Sequence, residues 1–141
     1  MATYLLKTEP STYSFADLVR QKRATWDGIA NAAALIHLRN IKRGDDLLIY
    51  HTGDDKAVVG LARAASDAYA DPKNPGQTPQ GLPRHAVVDI SAVKAAQSPL
   101  TLAAIKADKR FAEFALVRIS RLSVMPVPSA IDAAIRALAG L

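Results

Sequence analysis

The chain has 141 residues, half of them hydrophobic and 22% charged, a net charge of +5 and an isoelectric point of about 9.7. It contains no cysteine, which excludes disulfides, thiolate zinc sites and cysteine nucleophiles and fits a cytoplasmic protein. No apolar run approaches the ~18 residues of a membrane span, and the start MATYLLKTEP lacks the charged and apolar regions of a signal peptide. A chain of this length and makeup is expected to form one domain over residues 1–141 with its own core.

Thr3 to Lys7 reads as a first strand, ended by Glu9-Pro10 because proline removes a ladder donor. Ser14 predicts a helix N-cap with Asp17 in the first turn, and Phe15, Leu18 and Val19 give that helix an apolar side. It is expected to stop around Lys22. Arg23 to Ile29 is then expected to be a loop holding Trp26, the only tryptophan, with a turn at Asp27-Gly28. Leu35, Leu38 and Ile41 recur at helical spacing, so a second helix is expected over Asn31 to Asn40.

Lys42-Arg43-Gly44-Asp45-Asp46 breaks that helix, and Asp46 to His51 reads as the second strand. The turn cluster Thr52-Gly53-Asp54-Asp55 and a third strand, Ala57 to Ala65, complete an antiparallel hairpin. Gly60 inside that strand predicts a bulge or a close backbone approach. Asp71 to Arg84 carries four of the eight prolines and reads as a surface loop. A fourth strand follows over Arg84 to Val93, then a short helix over Leu100 to Lys106. Phe111 to Arg118 fits helix or strand equally. Val124 to Pro128 is extended, and Ser129 is expected to cap a last helix with the stripe Ile131, Ala134, Ile135 and Leu138. The strands outnumber the helices and the βαβ alternation of a Rossmann sheet is missing. These features predict an α+β domain, a small, mostly antiparallel, partly closed barrel with helices at its side.

The basic residues come in small groups, among them Arg20, Lys22 and Arg23, then Arg39, Lys42 and Arg43, then Lys106, Lys109 and Arg110. Such groups draw phosphate backbones. They are equally what solvated helix ends look like. Neither GxGxxG nor GxxxxGKS/T occurs, nor a GxSxG elbow, so nucleotide triphosphate, dinucleotide and serine-hydrolase chemistry have no support. No two of His37, His51 and His85 stand at helical i, i+4 spacing, so no metal and no cofactor is expected. For His51 a structural hydrogen bond is favoured over acid–base work. Lys7 and Glu9 read as a structural pair, or as a lysine donating to a carbonyl or phosphate at a pocket mouth, positioned by the carboxylate. Trp26 reads as a core plug or as a stacking platform for a planar ligand. Asn31 reads as a helix cap or as an amide reading a base edge.

The stretches LLKTEPSTYSFADL, WDGIANAAALIHLRNIKRGDDLLIYHTG, VVGLARAASDAYAD and RISRLSVMPVP, in that order, resemble the EVE domain family from Tyr4 to about Ile135. The blocks K-S/T-E-P, W-D/E-G, G-D-x-x-x-x-Y-H and R-L-S-V-x-P carry the resemblance. It implies a PUA-like fold, a small, strongly curved, mostly antiparallel β-barrel with flanking helices. It also implies a binding module and not an enzyme. Such a module would read a modified nucleobase, such as 5-methylcytosine or 5-hydroxymethylcytosine, in DNA or RNA by flipping it into an aromatic and polar pocket.

Matched position by position, Lys7, Thr8, Glu9 and Pro10 fall on the family's KSEP-type motif, and Trp26, Gly28 and Asn31 on its W-x-G-x-x-N stretch. Tyr50, His51 and Thr52 fall on the YHS-type strand end, Tyr69 and Asp71 on the YPD segment, and Arg121 on the RLSVxP block. The chain departs from the family at Tyr4-Leu5-Leu6, where a tryptophan is common before the lysine. It departs again at Ala30 and at Ala32 to Ile36, where arginine and Tyr-Gln-Ala-Arg-Asn are usual. These departures bear on ligand preference. Two other readings stay open: an enzyme acting on a modified base or nucleoside, and a module binding a small ligand or protein through the same cleft.

Overall fold

The computed structural model describes residues 1–141. The first strand, β1, spans Thr3–Thr8. Helix α1, Phe15–Gln21, starts as the sequence predicts. The Asp17 N–H donates to Ser14 Oγ and the Ser14 N–H donates back to Asp17 Oδ2, at 3.1 and 2.9 Å. It ends at Lys22, whose φ of 70° turns the chain.

The expected loop after it is largely a strand. Arg23–Trp26 forms β2, and Trp26 lies opposite Val88. Four residues are too few to show a period, and only the partner strand makes them a strand. Helix α2 is Ala32–Arg39, β3 is Asp46–His51, β4 is Ala57–Ala64 and β5 is the short Tyr69–Ala70.

Strand β6, Ala86–Thr101, is far longer than the expected Arg84 to Val93. Its second half, Val93-Lys94-Ala95-Ala96-Gln97, is rich in helix formers, yet Lys94 and Ala95 pair with Leu61 and Gly60 of β4. Tertiary pairing overrides local propensity here. Val58 then faces Leu100, so β6 bulges around Pro99, a residue that cannot donate to the ladder.

Helix α3 is Leu102–Ala107, a 3-10 turn covers Lys109–Phe111, and α4 is Ala115–Arg118, which resolves the ambiguous stretch as helical. β7 is Val124–Pro126 and α5 is Ser129–Ala139. In α5 the cap is Pro128, not Ser129, and Leu138 is 44% exposed, while Ala139 completes the buried stripe.

The strands run in the order β2-β6-β4-β3-β1-β7, with β5 on the side of β6. β1 and β3 are parallel and every other pairing is antiparallel. The sheet is strongly curved and left open between β2 and β7. Its curvature shows in the packing. Helix α2 touches both β7 at one edge and β6 beside the other, and α5, which follows β7, also packs on β6. The turn at Gly140 closes against Gln97 of β6: a Cβ there would lie 2.7 Å from the Gln97 Cβ. One continuous apolar core fills the concave side, from Leu5 and Leu6 through Leu38, Leu48 and Ile90 to Met125 and Ile135.

Gly60 marks the close approach its place in a strand predicts. A Cβ there would stand 2.4 Å from the Phe15 ring, so α1 docks through this glycine. No helix is long and apolar enough to cross a membrane.

Candidate functional site

The end of β1 runs into a cavity of about 720 Å³, within the usual range for ligand sites. Three segments wall it: Lys7, Thr8 and Glu9 at the end of β1, Tyr13 and Gln21 from the two ends of α1, and β2 with the turn from Trp26 to Ile29. The β1–β3 pairing and the docking of α1 on Gly60 bring these segments together.

Trp26 is both core residue and cavity wall. It is 7% exposed and belongs to the continuous core, yet it borders the open space. Tyr13 meets it edge to face, with ring centroids 6.1 Å apart and planes at 79°. The Tyr13 hydroxyl donates to Gln21 Oε1 at 2.7 Å, and Thr8 Oγ1 donates to the Tyr13 carbonyl at 2.7 Å. Burial raises the Tyr13 phenol above its ordinary pKa, so it stays a neutral donor and acceptor.

Glu9 is fixed at the rim. Ser11 Oγ donates to its Oε1 at 2.9 Å and Thr52 Oγ1 to its Oε2 at 3.0 Å. These hydrogen bonds, Ser11 first and Thr52 second, hold the carboxyl below the usual range, so it is an acceptor at neutral pH. Gly53, with φ of 71°, leaves room for it: a Cβ there would sit 2.6 Å from Glu9 Oε2.

Lys7 does not pair with Glu9. Its ammonium donates to the Ser120 carbonyl at 2.9 Å and stands 5.7 Å from the centre of the Tyr50 ring. Burial lowers its pKa.

The other expected site residues fall around the cavity. Gly28 lines it, with φ of 75°. Pro10 lies in the turn that follows Glu9, half-buried and outside the cavity wall. Asn31 caps α2, its Oδ1 accepting from the Ala34 N–H at 3.0 Å, and does not line the cavity. Tyr50 and His51 are buried in β3. His51 Nε2 accepts from the Phe15 N–H at 3.0 Å, which puts its proton on Nδ1, 3.0 Å from Asp55 Oδ2. The ring thus ties α1 to β3 and the turn after it, a structural bond. Thr52 reaches the site only through Glu9.

Tyr69 does not line the cavity; it donates to Asp89 Oδ1 at 2.8 Å, an oxygen that also accepts from Thr25 Oγ1 of the cavity wall at 2.9 Å. Asp71 is buried and closes its own turn, accepting from Asn74 Nδ2 and the Lys73 N–H, both at 2.9 Å. Arg121 is exposed in the turn before β7.

The structure adds Tyr13 and Gln21, which motif matching missed. The only signal for Tyr13 was its place just before a helix N-cap, where an apolar side chain commonly packs on the first turn. No group of three or more His, Asp or Glu side chains gathers as a metal donor set.

The family model described as "EVE domain" matches residues 2–138. Human thymocyte nuclear protein 1 is 28% identical over 123 residues, which cover 73% of this chain and 55% of that protein. The chain thus spans about half the length of the curated relatives it matches. A protein from Rhodopseudomonas palustris, solved by NMR, is 36% identical with a TM-score of 0.88, over 99% of this chain and 94% of that one. The human THYN1 protein, solved in complex with 5-methylcytosine-containing DNA, superposes with a TM-score of 0.88 at 22% identity, over 100% and 99% of the two chains. At that identity the likeness shows the fold, which is PUA-like.

Proposed function

The chain belongs to the EVE domain family, and from that premise we propose that it binds a modified nucleobase of DNA or RNA, flipped into the cavity at the end of β1. One observation carries the reading: a cavity with room for a base, walled by the Trp26–Tyr13 pair and bordered by hydrogen-bonding groups. The ring edges and faces offer a planar ligand a place to stack. Thr8, Glu9 and Gln21 supply the polar rim that would read its edge. The human family member in complex with 5-methylcytosine-containing DNA supports cytosine modified at C5 as the first candidate.

We read the site as one of binding and not of turnover. Glu9 is held ionised by two hydroxyls, and His51 spends both ring nitrogens on Phe15 and Asp55. Both groups are thus occupied by hydrogen bonds within the protein.

The test is the fluorescence of Trp26, the single tryptophan, during titration with short single-stranded DNA and RNA. Each oligomer carries one modified base and is paired with its unmodified twin. The expected result is a larger change for one modified oligomer, weakening as salt rises. An equal response to every twin pair, with the protein folded, would overturn the proposal. Recovery of a chemically altered base would show an enzyme instead.

A further inference from the structure

Lys7 lines a second, smaller hollow of about 280 Å³, distinct from the first cavity and sharing only this residue with it. Two more lysines converge there: Lys56, just before β4, and Lys106, in the last turn of α3. Thr52, Gly53 and Ser120 complete its polar lining, and no carboxylate is part of the wall. Glu9, the acceptor of the Thr52 hydroxyl, faces the first cavity.

Arg20, Arg63, Arg110, Arg118 and Arg136 each lie within ion-pair distance of a carboxylate. No lysine of the chain does, the three of the hollow included. An anion entering this hollow meets three cationic side chains in the wall and no opposing carboxylate.

The backbone fixes the arrangement. Lys56 is one of two non-glycine residues with positive φ, at 43°, and its carbonyl accepts from the Leu102 N–H at 2.7 Å at the start of α3. The same hydrogen bond therefore places Lys56 and the helix that carries Lys106. A side chain held in the left-handed region is uncommon and marks a position over-determined by its surroundings.

We propose that this hollow is an anion subsite that takes the backbone phosphate next to the nucleotide whose base enters the first cavity, with Lys7 joining the two. The nucleic-acid part rests on the proposed function; the anion site itself does not.

The experiment has two arms so that the two can fail separately. In the first, the protein is titrated with inorganic phosphate and followed by amide NMR. Saturable shifts are expected at Thr52, Gly53 and Lys56, and their loss is expected in the Lys56→Gln/Lys106→Gln double variant. Absence of shifts, or shifts that the double variant keeps, overturns the anion site whatever the protein does with bases.

In the second arm, a modified-base oligonucleotide is compared with one whose flanking phosphates are neutral methylphosphonates. The neutral backbone is expected to weaken binding at least several-fold in the native protein and to make little difference in the double variant. The double variant is also expected to lower the salt slope by about 0.7 for each phosphate it no longer neutralises. Insensitivity to the neutral backbone, with phosphate shifts present, overturns the backbone assignment and leaves a free phosphate group as the ligand. Phosphate shifts without any preference for a modified base overturn the base-reading proposal alone.

Discussion

Two residues that look equally functional in the sequence have different work in the fold. Trp26 is 7% exposed and part of the core. Trp26→Ala is therefore expected to cost about 3–5 kcal/mol in urea denaturation, a large share of a small domain's stability. Loss of binding in that variant would be ambiguous. Tyr13→Ala removes the partner ring from a half-buried position. It is expected to lose less stability and to reduce base binding in the fluorescence or calorimetric titration. A Tyr13→Ala protein that binds like the native one would remove Tyr13 from the site. Asn31 shows the opposite case. Its Oδ1 caps α2, so Asn31→Ala is expected to lose ~1 kcal/mol and Asn31→Asp, which keeps the capping oxygen, much less. Because Asn31 stands outside the cavity wall, Asn31→Asp is expected to bind as the native protein does. If it binds ten-fold more weakly while equally stable, the side-chain amide is reading the base after all.

At the scale of elements, the helix α1 decides where the cavity at the end of β1 lies. It is positioned from below by Gly60, which admits the Phe15 ring, and from its N-terminus by the Phe15 N–H bond to His51. Gly60→Ala sets a Cβ against that ring, and overpacking of this kind costs roughly 1–3 kcal/mol. The expected outcome is a lower midpoint in urea with an unchanged slope. Weaker base binding should accompany it, because Tyr13 and Gln21 move with the helix. An unshifted midpoint would show that Phe15 has room to turn aside. Most elements were legible because their signals are local: the Ser14–Asp17 box, the apolar spacing of α2, the turn cluster between β3 and β4. β2 and the second half of β6 were not. Each is a strand because of what it pairs with, and the helix-forming run at 93–97 reads the other way on its own.

Over the whole molecule, charge sets two behaviours. The net +5 favours association with phosphate polymers at low salt. The carboxylates set acid stability. Glu9 is held low first by Ser11, Asp17 by the Ser14 N–H, Asp71 by Asn74 and Asp108 by Arg110. Each folded value lies below its unfolded one, so the unfolded chain takes up protons first as pH falls. Their contribution is complete above the ordinary carboxyl range of about pH 4 and disappears as pH drops through the lowered values. The melting temperature is expected to be level from about pH 7 to 5 and to fall steadily below about pH 4. A level profile down to about pH 2 would mean these hydrogen bonds do not survive in solution.

Sequence alone determined the family and the strand-rich class, because motif order, hydrophobic period and turn chemistry are written in adjacent residues. Of the residues it marks as candidates, Lys7, Thr8, Glu9, Trp26 and Gly28 line one cavity. Only the tertiary structure decided which of the remaining polar groups are free to act. Asn31, His51 and Asp71 are claimed by backbone amides and neighbouring side chains. Tyr13 and three unpaired lysines, scattered from position 7 to position 106, are brought to the surfaces a ligand would meet. The physical reason is that a hydrogen bond or a cavity joins groups close in space. Over long sequence separations, the curvature of the sheet and the docking of α1 set that closeness, and no short pattern encodes it.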